Sequence, residues 1–264
     1  MTPGLEDFAR HLTSSQGPDW LKLLQSYRWH GADWLSSVRS RLQFHEQVEA
    51  LVNRKGKSKA VPSAWPQLVN EIVHDWGGLP LVQPPDLQML WQSVKELLAD
   101  ADDRGPMHFG HIATAATQVY HMAEPKRFAI YDVNVARALQ QLISQAFPEP
   151  RSEPMTLWHL HGRFEDLTVP EPQPDDDIAP RGGMCIGWSS DLNKLPSLRD
   201  QPRKFLNAFF MASELCRAIA GILRHEHSQQ PGGVQGPDGK LGDPRWQLYH
   251  IEMALFMLGK GVLA

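Results

Sequence analysis

Asp132 is the residue whose type and setting best suit chemistry. It follows Ile130 and Tyr131, and it precedes Val135, Ala138, Leu139 and Leu142, which recur at helical spacing. The pattern predicts a helix that opens at Asp132. A carboxylate at a helix N-terminus meets backbone N–H groups and the positive end of the dipole, so it is expected to stay ionised at neutral pH. Such an anion can stabilise a developing positive charge or activate a nucleophile, and it is a poor general acid. Asp is also a favoured N-cap for backbone reasons alone. The spacing by itself leaves both roles open.

Other clusters offer less. Trp158, His159, His161 and Arg163 form an aromatic and basic string, and Tyr27, Arg28, Trp29 and His30 form another. Each suits ordinary packing with a surface turn, or a surface that reads a flat base. Asn53 to Lys59, with Arg54, Lys55, Lys57 and Lys59, reads as a basic loop, either a solvated turn or a phosphate contact. His225, Glu226 and His227 are adjacent on a helix and point in different directions, so they read as a solvated helix end. The twelve His show no zinc-type spacing, and no phosphate-cradling glycine motif or Cys cluster is present.

The elements that must position these residues are helical. Leu21, Leu24, Trp29 and Trp34, then Val38, Leu42 and Val48, predict two or three helices over residues 5 to 50. Trp65, Leu68, Ile72 and Trp76 predict a helix over 63 to 75, ended by Gly77 and Gly78. Asp86 is a candidate N-cap for a helix running to about Asp100. A small-residue helix from Ile112 to Met122 leads through a Pro125 loop to Asp132. Further helices are expected over 200 to 226 and 245 to 259. The proline-rich acidic stretch 165 to 182 and the Gly/Pro/Gln-rich stretch 228 to 243 read as surface segments, and only Met184 to Trp188 hints at a strand.

A chain of 264 residues with 42% apolar residues can bury a sizeable core, as one domain over 1 to 264. Its nine Trp suit both a core and a pocket that stacks flat ligands. The net charge of −4 argues against a broad basic footprint for nucleic acid and leaves room for a local one. Cys185 and Cys216 read as buried free thiols. With no signal segment and no apolar run of membrane-spanning length, a cytoplasmic, reducing location is expected.

The run Asp132-Val-Asn-Val-Ala-Arg-Ala-Leu139 resembles the helix-hairpin-helix DNA glycosylase superfamily, in which an Asp opens a helix followed by an aliphatic, an Arg and a Leu, here Val135, Arg137 and Leu139. The longer run Pro125 to Leu139 is similar to bacterial 8-oxoguanine glycosylase-fold proteins, as is the terminal stretch Glu252 to Gly259. Together these cover roughly residues 105 to 145 and 245 to 260.

The resemblance implies an all-α, two-lobed domain with its active site in the cleft between the lobes. It implies double-stranded DNA with a flipped base as partner, a monomer, no metal and no cofactor. Asp132 would be the essential carboxylate. Gly105 and Gly110 would lie near a hairpin whose backbone amides hold phosphate, with Arg54, Lys55, Lys57, Lys59, Lys126 and Arg127 as further phosphate contacts. Trp29, Trp158, His161 and Phe256 would form the base pocket. The chain departs from the pattern where bifunctional members carry a nucleophilic Lys. Ala113 and Thr114 stand at one such position and Gln118 at another, and no Lys lies between Lys95 and Lys126. Gln118 can orient a water or a base but cannot form an imine. The expected activity is therefore monofunctional excision of a modified base, in repair of 8-oxoguanine or in defence against phage DNA carrying bulky bases. A non-catalytic DNA-sensing module is the alternative.

Overall fold

A computed structural model describes residues 5–55, 60–99, 113–146, 202–226, 229–235 and 242–261. Gly105, Gly110, Trp158, His161, Cys185, Lys57 and Lys59 lie outside the described residues, as do the 165 to 182 stretch and the Met184 to Trp188 segment.

Helix α1 (Leu5–Thr13) buries Leu5, Phe8, Ala9 and Leu12, a single apolar stripe with Glu6 and Asp7 in the first turn. Trp20 opens α2 (Trp20–Gln25) and ties it back, its indole N–H donating to Leu12 O at 2.9 Å. Asp19 caps α2 by accepting from Lys22 N at 3.0 Å.

The chain then departs from the helix expected through Trp29. Arg28–Trp29 (β1) pairs antiparallel with Ala32–Asp33 (β2), in register Arg28↔Asp33 and Trp29↔Ala32. The two-residue turn has φ 47° at His30 and 86° at Gly31, so both residues lie in the left-handed region that matches the twist of a tight hairpin. Asp33 then caps α3 (Trp34–Lys55) through Ser36 N at 2.8 Å. Asn53, Arg54 and Lys55 continue α3 instead of opening a loop.

Pro62 and Trp65 start α4 (Trp65–Asn70), whose last turn widens into a π-helical segment, Glu71–Trp76. Such wide turns recur at functional sites because they re-aim the side chains that follow. Gly77 and Gly78 end it, Gly78 with φ 67°. Helix α5 (Pro84–Ala99) starts two residues earlier than expected. Pro84 and Pro85 fill the first helical positions, where a missing N–H costs nothing. Asp86 therefore falls inside the first turn and is buried, and Gln83 O accepts the first helical bond, from Leu87 N at 3.0 Å.

Four further helices follow among the described residues: α6 (Ala113–Ala123), α7 (Val133–Ala146), α8 (Pro202–Glu226) and α9 (Leu248–Gly259). The fold is mainly helical, as expected. Every residue of α9 from Leu248 to Met257 is buried, the polar His250 and Glu252 included. The helix packs against α2, α7 and α8, while α1 lies on α8. A second set joins α3 to α6 and α4, and α5 to α4 and α6. One continuous apolar core runs through both sets. Cys216 is buried as a free thiol, as expected. Among the described residues no helix is long and apolar enough to cross a membrane.

Candidate active site

The segment between α6 and α7 is held by three hydrogen bonds, two from α6 and one from α8. Thr117 Oγ1 on α6 accepts from Tyr131 N at 3.2 Å, and Ser213 Oγ on α8 accepts from Ala129 N at 3.0 Å. The His121 Nδ1–H donates to Phe128 O at 2.6 Å. These bonds deliver Asp132 to the N-cap of α7. Its Oδ1 accepts from Asn134 N and Val135 N, both at 2.9 Å, and Oδ2 meets Asn134 Nδ2 at 3.4 Å. One carboxylate oxygen is thus fully engaged by the helix and the other is only weakly held.

The helix terminus does not decide the acidity of Asp132, contrary to the expectation from the dipole. Burial pushes its carboxyl above the ordinary value, against the backbone N–H of Val135, the Asn134 side chain and backbone, and the Lys260 charge, which all pull it down. A raised carboxylate is a better proton acceptor than an exposed one.

Helix α9 reaches Asp132 at its C-terminal end. A Cβ on Gly259 would overlap Asn134 O, so only glycine lets α9 press against the first turn of α7. Gly259→Ala is expected to cost about 1–3 kcal/mol or more through forced backbone movement, read as a lower urea midpoint. A variant as stable as the wild type would refute this close approach.

Lys260 follows, its Nζ 4.6 Å from the Phe256 ring centroid. Phe256 in turn lies 5.1 Å from Trp29 and 5.7 Å from Tyr27, ring to ring. The Trp29 indole N–H donates to Trp76 O at 2.7 Å, and the two indoles are 5.9 Å apart. Trp29 and Trp76 are only half-buried and offer ring surface. The structure therefore joins two expected pocket residues, Trp29 and Phe256, and adds Trp76, which periodicity alone assigns to the core. Gln118 is 3% exposed. Its amide sits against Gly77, where any Cβ would overlap Oε1. That oxygen has no hydrogen-bond partner among the described residues, a state that costs about 1–3 kcal/mol for a buried acceptor.

Beneath the rings is a buried polar hub that the sequence reading missed. Arg41 on α3 pairs with Glu252 on α9, each 2% exposed. Its Nη1–H also meets His121 Nε2 at 3.1 Å, and its Cζ lies 5.4 Å from the Trp76 ring centroid. Because His121 Nδ1 donates to Phe128 O, its Nε2 is the lone pair that Arg41 needs. Burial alone would lower Arg41, but Glu252 and Tyr27 hold it protonated. Burial likewise pushes the Tyr27 phenol up to about 12. A signal existed: Glu252 is the one formally charged residue between Trp246 and Gly259, and a lone acid in an apolar helix needs a buried cation.

Two histidines are kept neutral by the same core. Burial and then Arg41 push His121 well below its ordinary value of 6.5, and push His250 from 6.5 to about 3. Below pH 6.5 the unfolded chain takes up protons that the folded chain does not. Their stabilisation is complete above that pH and is lost as pH falls, by about 1.4 kcal/mol per pH unit for each histidine. His250→Gln, which can still cap α9 from its third position, is expected to flatten the decline in stability between pH 6.5 and pH 5. Equal slopes in urea denaturation would refute the assignment.

The remaining candidates lie elsewhere. Lys126 is exposed in the turn after α6, whereas Arg127 is half-buried with its Cζ 5.1 Å from the Phe128 ring centroid. Arg54 and Lys55 end α3. Among the described residues no group of three His, Cys, Asp or Glu is placed to hold a metal ion. Two clefts of about 470 and 480 Å³ open beside α1, one against Gln141, Gln145 and Leu258, the other against α8, and Asp132 lines neither. No family model matches the chain, and no curated protein or solved structure matches it.

Proposed function

We propose that the chain is a monofunctional DNA glycosylase that removes a modified base from double-stranded DNA and leaves an abasic site. The observation that carries this reading is the setting of Asp132. One oxygen is clamped by the first turn of α7 and the other is weakly held, and the Lys260 that acts on this carboxyl lies over the Phe256 ring, which in turn meets Trp29. The resemblance of residues 125 to 139 and 252 to 259 to helix-hairpin-helix glycosylases supports it, as do the two packing sets that the reading takes as lobes.

On this reading the flipped base enters against the rings, in an aromatic environment that replaces stacking in the duplex. The C1′–N bond breaks and its electron pair leaves with the base. The Asp132 carboxylate stabilises the oxocarbenium charge that develops. Water then attacks C1′ and gives a proton toward Asp132, whose pKa burial holds above the ordinary value, which favours acceptance. The Asp132 carboxyl then passes that proton through solvent to the departed base anion, so the products are the neutral free base and an intact hydrated abasic sugar, with the carboxylate restored. Lys126, Arg54 and Lys55, with Lys57 and Lys59, would contact phosphates, and Lys260 would sit close to the reacting sugar. A role against phage DNA with bulky modified bases fits the cluster of rings and belongs to the same proposal.

Incubation with duplexes carrying single modified bases tests this reading. The expected result is alkali-labile sites without spontaneous strand breakage and without an adduct on borohydride reduction. An efficient adduct would show imine chemistry, and its loss in Lys260→Ala would identify the amine. No abasic product on any duplex, with DNA still bound, would favour the sensing module instead.

A further inference from the structure

His121 on α6 is fully buried, and both of its ring nitrogens are used. Nε2 faces the Arg41 guanidinium at 3.1 Å, and Nδ1 meets Phe128 O at 2.6 Å. Arg41 has donors only, and Glu252 and Tyr27 hold it protonated. Its Nη1–H needs a lone pair, which leaves the single ring proton on Nδ1. Burial and the Arg41 charge keep the ring from taking a second proton. The chain of contacts therefore has a direction. A cation on α3 selects the tautomer, the tautomer supplies the donor, and the donor fixes the Phe128 carbonyl. Packing alone would be served better by an apolar side chain, since a buried imidazole brings two polar atoms that must be satisfied.

Phe128 stands four residues before Asp132. Between them Ala129 N donates to Ser213 Oγ and Tyr131 N donates to Thr117 Oγ1. A hydroxyl rotates to follow the group it bonds. A planar ring held at both nitrogens cannot. The imidazole is thus the stiff member among these three bonds, and a reacting carboxylate has to be held to within about half an ångström.

We infer that His121 is a positioning residue for Asp132: locked by Arg41 with its proton on Nδ1, it fixes the Phe128 carbonyl and, through the 128–132 segment, the place where the carboxylate stands. The inference rests on the proposed function only for the part that Asp132 plays in excision.

The first measurement is made on the wild type. Ring nitrogen chemical shifts of His121 are expected to show a neutral imidazole protonated on Nδ1. A ring protonated on Nε2, or on both nitrogens near pH 7, overturns the inference. Two variants then separate the halves of the strut. The amide N–H of His121→Asn reaches as far as Nδ1 and can still donate to Phe128 O. The amide oxygen of His121→Gln reaches as far as Nε2 and can still accept from Arg41. Each leaves one buried polar group without its partner, so both are expected to melt below the wild type. Only the Gln variant is expected to loosen the segment. The amides of Ala129, Tyr131, Asn134 and Val135 should then exchange about 10-fold faster, relative to amides in the middle of α8. Single-turnover excision should fall about 10- to 100-fold in that variant at unchanged duplex affinity. The Asn variant should keep this protection and most of the rate. A loss in the Asn variant equal to that in the Gln variant overturns the inference, as does wild-type exchange at these amides in the Gln variant, since His121 would then serve packing alone. If neither variant folds, the wild-type tautomer and the protection of its ring N–H decide. If the wild type excises no base from any duplex, the glycosylase reading falls, and exchange and tautomer still decide whether His121 positions Asp132.

Discussion

Asp132→Asn is expected to lower base excision by at least about 10²–10³-fold while the fold and DNA binding persist. The amide oxygen can still accept from Asn134 N and Val135 N, so the cap on α7 survives. What disappears is the charge that faces the oxocarbenium ion and the basicity that receives the proton from water. Stability should not fall. Burial raises the Asp132 carboxyl above its ordinary value, so its charge is disfavoured in the folded chain at neutral pH. Stability linked to that carboxyl is present at low pH and is lost as pH rises through the raised value. Removing the charge at pH 7 is accordingly neutral or mildly stabilising. Circular dichroism, thermal melting, DNA binding and excision measured on one preparation check all parts at once. An Asn variant with full excision would remove Asp132 from the chemistry.

Breaking the Arg41–Glu252 pair is expected to be the most destabilising single change in the described core. Either Arg41→Met or Glu252→Met leaves the other partner fully buried without its counter-charge, at a cost of about 3–5 kcal/mol. For a chain of this size that lowers the thermal midpoint by roughly 6–20 °C. His121 loses a partner when Arg41 is replaced, and Trp76 loses the cation beneath its ring. Arg41→Met combined with Glu252→Met should recover much of the loss, because no lone charge is then buried and the volume is kept. Urea denaturation of the two single variants and the double variant decides this. Additive losses, with no recovery in the double variant, would show that the pair acts through packing and not through charge.

Parts of this architecture were legible because they depend on near neighbours. The Val38, Leu42 and Val48 spacing of α3, the aliphatic spacing that opens α7 at Asp132, and the apolar run of α9 are all local patterns, and periodicity reports which face meets the core. Asp132 was found this way, since a cap and the helix behind it are adjacent in sequence. The hairpin at Arg28 to Asp33 is not legible in the sequence. Strands of two residues are too short to alternate, and a His-Gly turn is a weaker signal than Asn-Gly. The π-helical widening before Gly77 and the early start of α5 escaped for a related reason, since both follow a helical pattern whose exact turn count the spacing does not specify.

The composition of the site itself was decided in three dimensions. Sequence determined a mainly helical chain with an acid at a helix start and rings at Trp29 and Phe256. It could not say that these rings touch, that Trp76 joins them, or that Gly259 brings α9 onto Asn134. Arg41 and Glu252 are 211 residues apart, so nothing local links them. The acidity of Asp132 shows the division most sharply. The helix terminus, a local feature, pulls its carboxyl down, while burial by distant segments pushes it up and prevails. Hydrogen bonding at a cap acts over one turn and is written in neighbouring residues. Desolvation depends on how much of the chain closes around a charge, and only the folded structure determines that.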